Sequence, residues 1–169
     1  MSEAMADSPL LRCLAPAVTR DEAEAMLVRR WGARLRSIAQ MWIPYYVYVI
    51  EGGSMFAIDA VDGSLDLLSI ESRGEGRRIA HALPVTLPGA RADELFAGKL
   101  QRMIYQRGFF RVKGALPRSA SQDEMLYVPY WAGFYGKDEV ERVRVVDAVR
   151  RTVEGAKLSQ LVLSWLRTS

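Results

Sequence analysis

The sequence predicts an α+β fold of two tandem repeats, each a helix followed by an antiparallel hairpin or three strands, packed around a shared core and closed by a C-terminal helix. The first observation behind this is internal recurrence. Met41-Trp42-Ile43-Pro44-Tyr45-Tyr46 returns as Leu126-Tyr127-Val128-Pro129-Tyr130-Trp131, and Ile58-Asp59-Ala60-Val61 returns as Val146-Asp147-Ala148-Val149, at offsets of 85 and 88 residues. Two ordered matches at nearly one spacing indicate copies of a supersecondary unit, with a short insertion around Gly136 to Glu141. The second observation is an apolar helical stripe ahead of each aromatic segment. The third is the run of β-branched and aromatic residues that follows it, suited to a pleated surface.

The expected order is an N-terminal segment over 1–18, a first repeat over 19–72, a linker over 73–89 and a second repeat with the closing helix over 90–169. Thr19, Asp21 and Glu22 form a capping box, which starts the first helix at Arg20 because cap and glutamate satisfy each other's amides. Ala23, Met26, Leu27, Trp31 and Leu35 give its apolar stripe, Arg29, Arg30, Arg34 and Arg36 face mostly away, and Gly32 weakens its end. Pro44 and Pro129 each forbid one ladder bond, which places them at a strand entrance, an edge or a bulge. Tyr45 to Ile50 reads as a strand, Met55 to Val61 as a second, and Asp62-Gly63 as a two-residue turn into Ser64 to Ile70. Gly74, Gly76, Pro84, Pro88 and Gly89 mark the linker, with room for a short strand at Ile79 to Leu83. Asp93 and Glu94 lead a second helix carrying Phe96, Leu100, Met103 and Ile104, with Gly108 as its stop. Tyr130 to Tyr135 is the matching aromatic strand. Lys137 to Arg151 is rich in helix formers, but the four valines of Val143 to Val149 and their match to Met55 to Val61 favour a strand. Arg150-Arg151 replaces the turn, leaving a third strand there in doubt, and Leu158, Leu161, Val162, Trp165 and Leu166 set a closing helix from about Ala156 to Arg167.

Thr19-Arg-Asp-Glu-Ala with its helix, the aromatic strand, and Phe56-Ala-Ile-Asp-Ala-Val-Asp-Gly-Ser-Leu65 together resemble the PepSY type of small α+β module. That module opens with a Glu-Ala helix and ends in a hairpin reading Val-Asp-Ala-x-Thr-Gly. The match spans about fifty residues of the first half and is degenerate in the second. The resemblance implies a non-catalytic module that binds proteins or peptidases, of a kind found mostly outside the cytoplasm.

Composition narrows the function classes. The 169 residues are 50% hydrophobic and 25% charged, a balance that excludes a disordered chain, a collagen-like repeat or a disulfide miniprotein. The apolar run from Met41 to Ile50 is far short of the ~20 residues that cross a bilayer. Acidic residues precede basic ones over Met1 to Leu14, the reverse of a signal peptide, and Cys13 is the lone cysteine; a cytoplasmic protein is the expectation. His81 has only Ala80 and Ala82 beside it, so neither a metal site nor a histidine-based catalytic set is expected, and no glycine-rich phosphate loop implies a cofactor. Asp59 and Asp147 occupy matching places, where acceptance of backbone bonds in the next turn outweighs acid–base chemistry. Two classes of function are left. Surplus aromatic rings, chiefly Tyr46, Tyr48, Trp131 and Tyr135, favour a protein-binding or scaffold module, with a protein partner or a second copy of the chain as ligand. The alternative is nucleic-acid binding: residues 72–118 hold ten basic and three acidic side chains, and within 99–118 Arg102, Arg107 and Arg111 stand beside Tyr105, Phe109 and Phe110.

Overall fold

The computed structural model describes residues 8–32, 34–50, 52–106, 125–136 and 142–169. In chain order these form β1 (Leu11–Cys13), α1 (Arg20–Trp31), β2 (Leu35–Val49), β3 (Met55–Asp59), β4 (Leu68–Ile70), β5 (Glu75–Arg77), α2 (Gly89–Gln106), β6 (Leu126–Tyr135), β7 (Arg142–Asp147), β8 (Thr152–Val153) and α3 (Ala156–Thr168). The class is α+β, with three helices on one curled eight-stranded sheet.

The capping box forms as the sequence requires. Thr19 Oγ1 accepts from the Glu22 amide at 3.3 Å and Glu22 Oε2 accepts from the Thr19 amide at 2.8 Å. Helix α1 stops at Gly32, whose φ of 84° is open to glycine without steric cost. The two long strands β2 and β6 pair antiparallel over most of their length, from Leu35 opposite Tyr135 to Tyr45 opposite Leu126. Each then takes a hairpin partner on its outer side: β3 sets Asp59 opposite Tyr45 and Ile58 opposite Tyr46, and β7 sets Asp147 opposite Tyr130 and Val146 opposite Trp131.

Pro44 and Pro129 lie inside these central strands and not at their entrances, which corrects the sequence expectation. The reason is that the outer neighbour ends beside each. The Pro44 carbonyl accepts from Ala60, one residue past β3, and the Pro129 carbonyl accepts from Ala148, one residue past β7. A residue's N–H and C=O point to one side of its strand, so each missing donor faces a gap in the ladder. Beyond the gap short segments take over. Leu83 donates to the Trp42 carbonyl at 2.9 Å and Leu14 to the Tyr127 carbonyl at 3.0 Å.

The Asp62-Gly63 turn is likewise wider than a two-residue hairpin. Pairing between β3 and β4 stops at Ala57 opposite Leu68, because the Asp59 carboxylate gathers the amides of Asp62, Gly63 and Leu65 and holds the chain in a broad loop. In the second half β7 is a strand, as the valines suggest. A two-residue β8 does follow Arg150-Arg151, with Arg151 taking φ 59° to make the turn. Residues 73–89 contribute β5, paired with β1, and a bridge from Ala82 to Trp42. The expected Gly108 stop of the second helix lies outside the described residues.

Alternation along β2 and β6 divides the core between two faces. On one face Met41, Ile43, Tyr45 and Val47 join Val128, Tyr130 and Ala132, and α3 covers them with Leu158, Leu161 and Val162. On the other, Ala92, Phe96 and Leu100 of α2 pack on Tyr46, Tyr48, Ile58 and Ala60. Ala23 and Leu27 of α1 pack mainly on Tyr135, Val146 and Ala148. Helices α1 and α2 therefore each rest chiefly on the hairpin that their own half of the sequence does not supply, while α3 lies against β7 of its own half.

Candidate functional site

Tyr46, Tyr48 and Tyr135, three of the four rings expected to offer a binding surface, are core residues at 2%, 1% and 7% exposure. Tyr46 and Tyr48 sit under α2, where the Tyr46 hydroxyl donates to the Leu87 carbonyl at 2.7 Å. Tyr48 stacks on Phe96 at 4.0 Å between centroids and donates to Asp93 Oδ1 at 2.7 Å. Tyr135 is covered by α1. Their pKa values are raised, by burial first in every case. Trp131 is half-buried, its indole N–H donating to the Val18 carbonyl at 2.9 Å. The sequence shows a surplus of rings but not that two amphipathic helices cover the same face of the sheet. Arg102 is exposed on α2 with its Nε donating to the Gly98 carbonyl, and Tyr105 is 61% exposed one turn on. Arg107 and Arg111 lie outside the described residues.

The two buried aspartates are held in structural bonds. Asp147, 1% exposed, accepts from the amides of Val149 and Arg150 at 2.8 Å each and from Arg150 Nε at 2.7 Å. Asp59 is fully buried; burial lifts its carboxyl above the ordinary value, against the pull of its three amide donors. Between them the hydroxyls of Tyr45 and Tyr130 meet at 2.8 Å, both pushed well above the usual tyrosine range by burial first and by neighbouring negative charge. Cys13 is buried and its thiol is pushed up to about 11, again by burial, against a smaller opposing pull from Arg77. His81 is exposed. Among the described residues no group of three or more His, Cys, Asp or Glu is placed to hold a metal ion, and no helix is long and apolar enough to cross a membrane.

Two of the exposed large hydrophobic side chains among the described residues lie together at the end of the sheet carrying β1 and β5. Leu10 is 68% and Val85 43% exposed. They line a cleft of about 570 Å³ with Leu11, Arg12, Gly76, Met125 and Tyr127. β1 and the start of β6 form its floor and β5, the last strand of the sheet, one wall. No periodic signal marks these residues in the sequence, because they come in ones, twos and threes from four separate segments; an isolated Val85 between prolines is the nearest hint. No family model, no curated protein and no solved structure matches the chain.

Proposed function

We propose that the chain is a non-catalytic protein-binding or scaffold module, built from two copies of one α+β unit, that receives an extended segment of a partner protein in the cleft beside β5. The observation that carries this is the exposure of Leu10 and Val85 along a cleft walled by a sheet edge. A terminal strand offers main-chain donors and acceptors to an added strand, and alternate pockets take its side chains. Support for two copies comes from the register. Offsets of 85 and 88 residues carry the pair Tyr45–Asp59 onto Tyr130–Asp147, and the stretch of the β2–β6 ladder from Met41–Tyr130 to Tyr45–Leu126 maps onto itself about Ile43 opposite Val128. The bonds from Tyr46 to Leu87 and from Trp131 to Val18 occupy matching places, as do those from Thr86 and Leu87 to Ala60 and from Ala17 and Val18 to Ala148. A PepSY-like origin of the unit, and a cytoplasmic setting, belong to the same proposal.

Photo-crosslinking in the native cell tests the reading, with the crosslinker placed at Val85 and, as a control, at exposed Gln160 of α3. One defined protein, or a second copy of the chain, should be captured from position 85 alone, and Leu10→Asp should abolish it. Equal capture from both positions, unchanged by Leu10→Asp, would refute it. The exposed Arg102 and Tyr105 favour nucleic acid as the second reading, which needs low-micromolar binding in fluorescence anisotropy that weakens steeply with added salt.

A further inference from the structure

A second concavity lies on the opposite side of β6 from the cleft, since Leu126 points away from Met125 and Tyr127. Its origin is a mismatch of strand lengths. Pairing with β6 ends at Tyr45 opposite Leu126, while β2 runs on to Val49. Among the described residues Val47 and Val49 therefore have no β6 neighbour on that side. Ile70, brought across from β4 through Met55, and Leu126 complete an apolar floor, and Arg12, Ser72 and Arg73 form the mouth of a cavity of about 100 Å³.

The mouth is held in place by the backbone. Gly74 has φ 73°, and a Cβ there would stand 2.5 Å from the Cys13 carbonyl oxygen, so the loop carrying Ser72 and Arg73 lies directly on β1. Arg12 Nη1 donates to the Arg73 carbonyl at 3.3 Å, which brings the two arginines to one rim. Ser72 Oγ accepts from the Gly74 amide at 3.1 Å, leaving its own proton to donate. Neither guanidinium has an ion-pair partner among the described residues; Glu71 and Glu75 flank the loop but do not line the cavity. The donors at the mouth are thus two cations and a hydroxyl, and the interior offers only hydrocarbon.

We propose that this cavity binds a carboxylate carried on a short branched apolar group, the carboxylate between Arg12, Arg73 and Ser72 and the alkyl group on Val47, Val49, Ile70 and Leu126. On the scale on which about 150 Å³ holds benzene, the interior takes about four carbons. A planar carboxylate suits guanidinium donors, which bond it in a fork. Two sources share this chemistry: a free branched short-chain acid, and the C-terminal valine or leucine of a polypeptide. The cavity shares only Arg12 with the β5 cleft, so its ligand does not depend on partner docking there.

The test is isothermal titration and amide chemical-shift mapping of the full chain with 3-methylbutanoate, 3-methylbutanol, acetate, and a short peptide ending in Gly-Val as free acid or amide. Saturable binding of 3-methylbutanoate, of the free-acid peptide or of both is expected, with shifts at Val47, Val49, Ile70 and Ser72. The alcohol, acetate and amide should each bind at least ~10-fold more weakly, and exposed Arg73→Gln, which removes a charge-assisted donor, should cost ~10-fold or more in affinity. Binding by the acid alone assigns a metabolite-like ligand, and binding by the peptide alone assigns a chain terminus. Ser72→Ala, which keeps the charges, gives a smaller loss and checks the geometry if Arg73→Gln proves unstable. No binding by either carboxylate, equal binding of the alcohol or acetate, or affinity unchanged in both variants would overturn the proposal.

Discussion

The hydroxyl pair at the centre of the sheet supports a quantitative prediction. Tyr45 and Tyr130 are each 1% exposed and their oxygens are 2.8 Å apart, so each is the other's hydrogen-bond partner where water does not reach. Tyr45→Phe removes one oxygen and strands the other in an apolar setting, which costs about 1–3 kcal/mol. Tyr130→Phe should cost a similar amount for the same reason. The double variant leaves neither hydroxyl stranded and keeps both rings packed, so it should lose no more than either single one. With singles near ~2 kcal/mol, the coupling in the double-mutant cycle is then ~2 kcal/mol. Equilibrium urea unfolding followed by tryptophan fluorescence measures all four proteins, with a common m-value as the check on two-state behaviour. If the double variant loses the sum of the two single losses to within ~0.5 kcal/mol, the hydroxyls do not meet and the β2–β6 register is wrong.

Asp147→Ala removes the acceptor of two amides and of the half-exposed Arg150 in one step, and should cost about 3 kcal/mol or more by chemical denaturation. Asp147→Asn, which keeps one acceptor oxygen, should lose clearly less. The Cys13 thiol, raised to about 11 by burial, should be about one part in a thousand thiolate at pH 8. Thiol-reactive reagents should therefore label the folded chain slowly, with the rate rising as pH increases and jumping when urea unfolds it; immediate labelling of native protein would contradict its burial.

The start of α1 and the span of α3 were legible because their signals are local, whereas Leu35, expected on the stripe of α1, opens β2, and α2 begins at Gly89, ahead of the Asp93–Glu94 pair expected to lead it. The Thr19–Glu22 box set the start of α1, and the stripe from Leu158 to Leu166 set α3 to within a residue of Ala156–Thr168. The strand at Arg142–Asp147 was legible only through its likeness to Met55 to Val61, since composition alone suggested a helix. What the sequence hid is long-range. Whether Pro44 interrupts a strand depends on where β3 ends, and whether Tyr48 is exposed depends on Phe96, which arrives 48 residues later. The same holds for the candidate sites, where Val85, Leu10 and Met125, or Arg12, Ser72 and Val49, meet only after the sheet has closed.

The pairing of β2 with β6 also has a consequence for synthesis. Strand β2 is complete at Val49, yet the strand it must lie against finishes at Tyr135, 86 residues later. At the ~5–20 residues per second of translation, roughly 4–17 s separate the two. During that interval Met41 to Val49, nine consecutive apolar or aromatic residues, can pair on one edge with β3 but on the other only with a foreign strand. A nascent chain paused between Gln106 and Leu126 therefore presents the ribosome's surroundings with a sticky edge of the kind that holding chaperones bind. Codons or conditions that slow translation across that stretch should raise aggregation without changing the stability of the finished protein.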